Sequence, residues 1–191
     1  MCGRYLIDDE SDSDIFLRYS LGVAKPDFSV GEIFPTNIAP VIIQTGATVA
    51  KWGFPHWSNG SSIINARSET AHEKNMFKKP LKQSRCVVLS NGFYEWGASV
   101  SSKKKDKFLF RLPDEKLLCM AGLMNTFRDT EGDEYLAFVI LTTDANDSVE
   151  DVHNRMPVIL AHDEEELWLS DDTFSDYLFL RSGPVLTKAL V

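Results

Sequence analysis

Short apolar runs, each bounded by turn-forming residues, dominate the pattern of this chain. The runs are rich in Val, Ile, Leu and aromatic residues, and Gly, Pro, Asn or Asp stand at most of their ends, which is typical of β-strands. The predicted strands cover residues 4–7, 41–44, 47–52, 84–90, 108–112, 117–123, 137–142 and 156–160. Strands are therefore expected to outnumber helices.

Helical patterns are fewer and shorter. Predicted helices cover residues 13–19, 69–75, 146–152 and 163–168, the last with acids in its first turn, as the helix dipole favours. Turn residues at 113–116 and 130–133 predict two hairpins, and 99–107 predicts a mobile hairpin loop. Many strands with scattered short helices indicate an α+β fold: a strand-rich single domain over residues 1–191, built around a curved sheet or irregular barrel.

Composition narrows the class of protein. The chain has 191 residues, 43% hydrophobic and 25% charged, as in ordinary globular proteins. It begins without the pattern of a signal peptide and has no apolar run of about 18 residues, so a cytoplasmic protein without a membrane span is expected. Three widely spaced cysteines argue against a disulfide framework or a zinc site, and no metal or cofactor is expected.

Charge is distributed unevenly. The net charge is −8, yet residues 67–85 contain six Lys or Arg against Glu69 and Glu73. Acidic residues collect instead at 8–14, 129–134 and 163–172. A local basic face can hold phosphates despite an acidic total, although a solvated surface would carry the same pattern.

Cys2 carries the most distinctive chemistry of the sequence. Methionine aminopeptidases remove an initiator that precedes a small residue, and the product here would begin with cysteine. Its α-amine and thiol, with ordinary pKa values of ~8 and ~8.5, would both have nucleophilic forms near neutral pH. Together they can capture an aldehyde as an imine and then close a five-membered thiazolidine ring through sulfur. Cys2 is therefore a candidate nucleophile, provided that other residues supply partners.

Polar residues in apolar surroundings supply candidate partners. Asn65 and Arg67 follow two isoleucines, where an amide could hold an amine and a guanidinium could clamp a phosphate. The alternative is a strand end at which Ser68 caps the next helix. Glu95 stands among three aromatic residues, where burial would raise its pKa toward neutrality and suit it to proton transfer. A structural pair with an arginine is the alternative for this carboxylate.

His153 and Arg155 directly precede an apolar strand. A lone histidine is more often structural than catalytic. Near a candidate amine nucleophile and a candidate acid, a role in catalysis becomes the better interpretation.

At these residues the chain resembles the SRAP family, the SOS-response-associated peptidases, which include the abasic-site processing proteins. The motifs that carry the resemblance are residues 1–5, 35–40, 52–57, 65–70, 92–96, 121–123, 141–143 and 153–160. They occur in family order and cover nearly the whole chain.

The resemblance implies a function in DNA damage repair and the SOS response. The matured Cys2 would form a Schiff base with the aldehyde of an abasic site in single-stranded DNA and close a thiazolidine, a covalent cap on the lesion. Asn65 would orient the amine, Glu95 would move protons, and His153 would assist opening of the sugar. The expected DNA contacts are Arg4, Arg67 and Arg155 as phosphate clamps, Trp52, Trp57 and Trp96 as stacking surfaces, and Pro40 and Thr143. A monomer, nucleoid-associated when it acts on DNA, is expected.

The chain departs from the family pattern in a short segment between Trp57 and Asn65, in its acidity, and at Thr36. Two other functions stay open. One is a cysteine peptidase or autopeptidase in which Cys2 acts through its thiol alone, with His153 as the base. The other is a noncatalytic single-strand DNA binder. Cleavage of the DNA strand by a lyase reaction is a further open question.

Overall fold

Strands make up most of the computed structural model, which describes residues 2–8, 28–56, 60–99 and 104–191. Within these ranges the strands are β1 (Arg4–Ile7), β2 (Gly31–Ile33), β3 (Ile38–Ile43), β4 (Gly46–Trp52), β5 (Phe54–Pro55), β6 (Ser62–Ile63), β7 (Asn65–Arg67), β8 (Arg85–Ser90), β9 (Gly92–Gly97), β10 (Asp106–Arg111), β11 (Leu118–Arg128), β12 (Glu134–Asp144), β13 (Arg155–Pro157), β14 (Ile159–Leu160) and β15 (Thr187–Leu190). The helices are α1 (Ser68–Ala71), α2 (Asn75–Gln83), α3 (Glu165–Ser170) and α4 (Phe174–Leu178). None of these helices is long and apolar enough to cross a membrane.

A closed ring of five strands forms the centre of the fold. Strand β12 pairs in parallel with β4 and antiparallel with β11, while β3 and β8 complete the ring between them. Every residue of β8 is buried, as expected of a strand with apolar neighbours on both faces. Strands β13 and β7 also pair with β12, so this strand organises the residues on either side of it. The predicted α+β fold with a barrel is confirmed.

A second, antiparallel sheet with the strand order β15-β10-β9-β1-β2 carries the chain's N-terminal strand. Strand β1 lies between β2 and β9, with Tyr5 opposite both Ile33 and Phe93. Alternation along the strands gives this sheet two different faces. Tyr5 and Phe93 are buried on one face, whereas Arg4 projects from the other.

Asn91 and Gly92 hold β9 in place against its neighbours. The side chain of Asn91 accepts the N–H of Asp8 at 2.9 Å and donates to the carbonyl of Lys116 at 2.8 Å. A Cβ at Gly92 would lie 2.4 Å from the carbonyl oxygen of Phe110, so only glycine allows β9 to approach β10 this closely. The close packing of these two strands thus explains the glycine at the start of the 92–96 motif.

Most predicted strands are confirmed, several with longer bounds. The apolar run at 117–123 belongs to β11, which continues to Arg128, and the run at 156–160 is divided between β13 and β14. The hairpin at 130–133 joins β11 to β12. The hairpin predicted at 113–116 was wrong, because the flanking strands β10 and β11 belong to different sheets and do not pair with each other. Strand β9 was not predicted as a strand, because its large aromatic residues occupy both faces and mask the alternation.

The helix predictions were less accurate. Helix α1 occupies part of the predicted 69–75 segment, and α3 overlaps the predicted 163–168 segment. The prediction at 146–152 was wrong: two consecutive turns stand there, closed by bonds from Val149 to Asn146 and from Val152 to Val149. Helix α2 was missed because Pro80 lies inside it and proline ordinarily ends a helix. The predicted helix 13–19 and part of the 99–107 loop lie outside the described residues.

Candidate functional site

Cys2 lies in a fully buried position just before β1. Its carbonyl oxygen accepts a hydrogen bond of 2.8 Å from the amide Nδ2 of Asn65, and its thiol donates weakly to the carbonyl of Arg4 at 3.8 Å. The N-terminal segment is therefore held by a side chain 63 positions away. This long-range contact brings two of the predicted site residues together.

The environment of Cys2 keeps its thiol protonated. Burial raises the pKa of this thiol far above its ordinary value, and the negative charge of Glu95 raises it further. A thiolate is the reactive form in thiol-based peptidases. At neutral pH the sulfur of Cys2 is consequently a weak nucleophile on its own.

Asn65 offers an unused acceptor beside Cys2. The residue begins β7, whose parallel pairing with β12 places it opposite Ile140. Its Nδ2 is engaged by Cys2, while its Oδ1 is buried and accepts no hydrogen bond from the described residues. A buried acceptor left open in this way calls for a ligand or a functional explanation.

Glu95 and His153, the two candidate acid–base residues, lie close to each other. Glu95 lies in β9 opposite Phe108 and is only 3% exposed, so its predicted burial among aromatic residues is confirmed. Its Oε2 is 4.0 Å from Nε2 of His153. The Nδ1 atom of His153 accepts the backbone N–H of Arg155 at 3.0 Å, which places the proton of the neutral ring on Nε2, toward Glu95.

The turns before His153 also contact the strand that carries Glu95. A Cβ at Gly97, the last residue of β9, would lie 3.3 Å from a methyl group of Val152. The absence of a side chain at Gly97 therefore allows the His153 segment to approach. The structure brings together four predicted residues, which the site gathers from four separate parts of the chain: Cys2, Asn65, Glu95 and His153.

Tyr5 is a neighbour of Cys2 that the sequence analysis missed. Its hydroxyl is buried and forms no hydrogen bond with any described residue. Burial raises the pKa of this phenol, and the nearby Cys2 and Cys86 raise it further. The signal that could have found it is the in–out alternation of β1, in which Tyr5 must point inward if Arg4 points outward.

Arg4 projects from the opposite, outer face of the same sheet. Its guanidinium donates to Glu32 at 3.0 Å and lies 4.5 Å from the ring centroid of Phe34 and 5.0 Å from that of Trp96. The side chain keeps 38% of its surface exposed. Trp96 is half-buried beside it, so both residues are accessible to a ligand as predicted, although their role stays a prediction.

Arg155 occupies a different environment from that of a phosphate clamp. Its side chain is buried and donates to both carboxylate oxygens of Glu69, to Asp144 and to the carbonyl of Thr142. With these donors already used within the protein, Arg155 is better explained as a structural residue. Arg67, in contrast, is exposed at the end of β7, and none of the described residues forms an ion pair with it.

Two other predicted contacts are directed into the protein. Trp52 is fully buried, stacks on Phe138 with centroids 6.4 Å apart and donates its Nε1–H to the carbonyl of Ile64. It therefore has no face for a base, and its predicted stacking role finds no support in this position. Pro40 is buried in β3 opposite Val49 and has almost no surface to offer.

The remaining predicted contacts are less defined. Thr143 is half-buried in β12 opposite Met156, and Trp57 lies outside the described residues. Within the described ranges, no three His, Cys, Asp or Glu side chains converge to hold a metal ion.

Comparison with known proteins places the chain among relatives of similar length and architecture. The model of the family "SOS response associated peptidase (SRAP)" matches residues 1–182. The abasic site processing protein YoqW of Bacillus subtilis is 36% identical over 194 residues, covering 93% of this chain and 84% of that protein. YoaM of the same organism, also named an abasic site processing protein, is 36% identical over 193 residues, covering 93% and 83%.

Solved structures agree on the fold. A crystal structure of a protein from Bordetella bronchiseptica superposes with a TM-score of 0.81 over 100% of this chain and 99% of that one, at 24% identity. This likeness extends to the whole architecture described above.

Proposed function

Because this chain belongs to the SRAP family, we propose that it processes abasic sites in DNA and does so through Cys2 once Met1 has been removed. The proposal rests on the contacts of Cys2: Asn65 binds its backbone carbonyl, and the buried carboxylate of Glu95 is close to its thiol. An N-terminal aminothiol in such a pocket suits an aldehyde substrate. The open form of an abasic deoxyribose provides that aldehyde.

The reaction begins at the amine. Its nitrogen adds to the C1′ aldehyde carbon to give a carbinolamine, which loses water to form an imine. The thiol sulfur then adds to the imine carbon while its proton passes to nitrogen, closing a thiazolidine. One water molecule leaves overall, and no oxidant or reductant is required.

Each neighbouring residue has a role in this sequence. The open Oδ1 of Asn65 would accept an N–H of the matured amine and aim its lone pair at the aldehyde. Glu95 would take the proton released by the amine and return it to the departing hydroxyl. His153, with its Nε2–H directed at Glu95, would support this exchange and assist opening of the sugar ring.

The raised pKa of the thiol favours this order of events over peptidase chemistry. A peptidase nucleophile needs a thiolate, which burial and the charge of Glu95 both disfavour at Cys2. An imine needs only a neutral amine at first, and a protonated thiol can still add to the more electrophilic imine carbon. The amine is therefore the better candidate for the first nucleophile.

DNA would reach the site along the outer face of the small sheet. Arg4 and Trp96 offer a cation and a ring there, and Arg67 adds an exposed cation beyond Asn65. Stacking on aromatic rings is sequence-tolerant, which suits a protein that reads damage rather than sequence. We propose single-stranded DNA as the substrate and a monomer as the acting form.

Intact-mass spectrometry after mixing with an abasic single-stranded oligonucleotide tests the proposal. The free protein should lack one Met residue, and the adduct should weigh the sum of protein and DNA less one water. Cys2→Ala should give no adduct at any DNA concentration. Cys119→Ala, which removes a buried thiol elsewhere, is the matched control and should react normally.

Other results would separate the alternatives. A fully reactive protein that retains Met1 would exclude the thiazolidine. A shortened oligonucleotide without an adduct would indicate a lyase. Equal binding of intact and abasic DNA with neither an adduct nor strand cleavage would indicate a noncatalytic single-strand binder.

A further inference from the structure

Glu32 holds two cations on the outer face of the small sheet. One carboxylate oxygen accepts from Arg4 at 3.0 Å, and the other accepts from Nζ of Lys107 at 2.7 Å. Glu32 and its two partners come from three different strands, β2, β1 and β10, and Lys107 is 75 positions from Glu32. The arrangement is therefore a product of the fold rather than of a local charge run.

Aromatic rings surround these two cations. The guanidinium of Arg4 lies over Phe34 and Trp96, and Nζ of Lys107 is 4.0 Å from the ring centroid of Tyr94. Attraction to these rings restricts the positions of both cations, so the two stay close enough to contact the same anion. An anion bound by both cations would lie beside aromatic rings, and this combination suits the phosphate and the base of one nucleotide.

The surroundings keep Glu32 ionised. Burial alone would raise the pKa of this carboxyl, but the hydrogen bonds from Lys107 and Arg4 outweigh it and hold the pKa below its usual value. All three side chains retain access to solvent, with 25% of Glu32 and 24% of Lys107 exposed. An incoming anion can therefore compete for both cations.

We propose that Glu32 stands in the place of a DNA phosphate, and that Arg4, Lys107 and Trp96 form a nucleotide subsite which opens when a phosphate displaces this carboxylate. The inference rests on the proposed function and adds Lys107 and Glu32 to it. A phosphodiester presents two non-bridging oxygens to the same two donors, while the adjacent base can stack on Trp96. The subsite is joined to the candidate nucleophile through the backbone of β1: Arg4 is two residues from Cys2, and its backbone carbonyl accepts the Cys2 thiol, while its guanidinium lies on the outer face of the sheet.

Displacement of Glu32 by a phosphate would help the protein to select abasic strands over ordinary ones. With the carboxylate in place, a strand must displace an internal anion before it gains the two cations. This competition weakens the binding of ordinary single strands, which have only noncovalent contacts with the protein. An abasic strand adds the covalent step at Cys2, which the competition does not touch.

Fluorescence anisotropy with an unmodified single-stranded oligonucleotide tests the inference without any covalent chemistry. Glu32→Gln should bind about three- to tenfold more tightly at low salt, and the slope of log affinity against log salt should steepen by roughly 0.7, the value for one added phosphate contact on a single strand. Lys107→Gln should weaken binding and flatten the slope by a similar amount. Thermal unfolding of each variant verifies that it is folded.

Glu134→Gln is the matched control. It removes one acid of an exposed ion pair with Arg128 in the other sheet and changes net charge identically, so its effect on affinity should be small. Glu32→Gln binding no more tightly than the unmodified protein would overturn the inference and make Glu32 a support for Arg4. The same result follows if Lys107→Gln leaves affinity and slope unchanged.

The two proposals can fail separately. A protein that forms no adduct with abasic DNA but shows the Glu32→Gln gain on plain DNA refutes the covalent function and retains the subsite. Normal adduct formation without that gain does the opposite.

Discussion

Glu95 and Glu32 belong to the same small sheet, yet they face opposite sides of it. Glu95 points into the protein, is 3% exposed and has the imidazole Nε2 of His153 4.0 Å from its Oε2. Glu32 points outward and lies between the two cations Arg4 and Lys107. The same side chain is thus suited to proton transfer on one face and to charge competition on the other.

The surroundings of each carboxylate, and not the residue type, decide what it can do. A carboxylate held by two cations keeps its charge and exchanges partners. A desolvated carboxylate beside an imidazole can take up and return a proton. Binding and chemistry are accordingly expected to respond to different substitutions, which the following experiments can test.

Glu95→Gln should have the largest effect. The substitution keeps the shape but removes the proton-accepting group, so formation or reversal of the adduct should slow by ~10²–10⁴-fold with little change in DNA affinity. Single-turnover adduct formation on saturating abasic DNA measures the rate, and anisotropy measures the affinity. Parallel losses in both quantities would assign Glu95 to the scaffold.

Arg155→Met should mainly reduce stability. The substitution keeps most of the apolar stem but removes bonds to Glu69, Asp144 and the buried carbonyl of Thr142, for an expected loss of about 2 kcal/mol in the free energy of unfolding. Urea denaturation measures it. A stable variant with a flatter salt dependence of DNA binding would instead restore the phosphate-clamp interpretation of Arg155.

Arg67→Met is the matched substitution at an exposed position. Arg67 ends β7, the short strand that pairs with β12. Stability should change by no more than about 0.5 kcal/mol, because the side chain is exposed. Affinity for single strands should fall by roughly 1 kcal/mol, with a slope flatter by about 0.7. Adduct formation should recover at saturating DNA, since the nucleophile is untouched. Unaltered affinity and slope would show that the DNA path avoids Arg67.

Lowering the pH should remove a small part of the contribution that Arg155 makes to the free energy of unfolding. Burial alone would raise the pKa of Glu69, but the bond from Arg155 outweighs it and holds that pKa below the ordinary 4.5. A lowered folded pKa gives stability that is present above pH 4.5 and lost as the pH falls through the folded value. The difference in unfolding free energy between the unmodified protein and Arg155→Met should narrow below pH 4.5, by under ~1 kcal/mol because Glu69 is 44% exposed. A constant difference down to pH 3 would mean that this ion pair contributes nothing.

The sequence predicted the parts of the molecule that depend on local pattern. Continuous apolar runs predicted the barrel strands, and the aromatic neighbours of Glu95 predicted its burial. Both follow from properties of adjacent residues, so a single sequence contains them. Helix α2 was not predicted, because the local signal there, Pro80, indicates the end of a helix.

Contacts between distant residues were beyond the sequence. Arg67 and Arg155 look alike in sequence, each two residues after a candidate catalytic residue. Only the fold places Glu69, 86 positions away, against Arg155 and leaves Arg67 in solvent. The Glu32–Lys107 pair was unpredictable for the same reason, since nothing near either residue indicates the other.

The hydrogen bond from Asn65 to Cys2 has a consequence for the order of events during synthesis. The residues that surround Cys2 in the finished site include Asn65, Glu95 and His153, so the pocket cannot exist before the ribosome has added most of the chain. At ordinary elongation speeds that delay lasts roughly ten seconds or more. Throughout this interval the first residues have no pocket to enter. We expect removal of Met1 to occur in this interval, before the fold encloses the amine that we propose as the nucleophile.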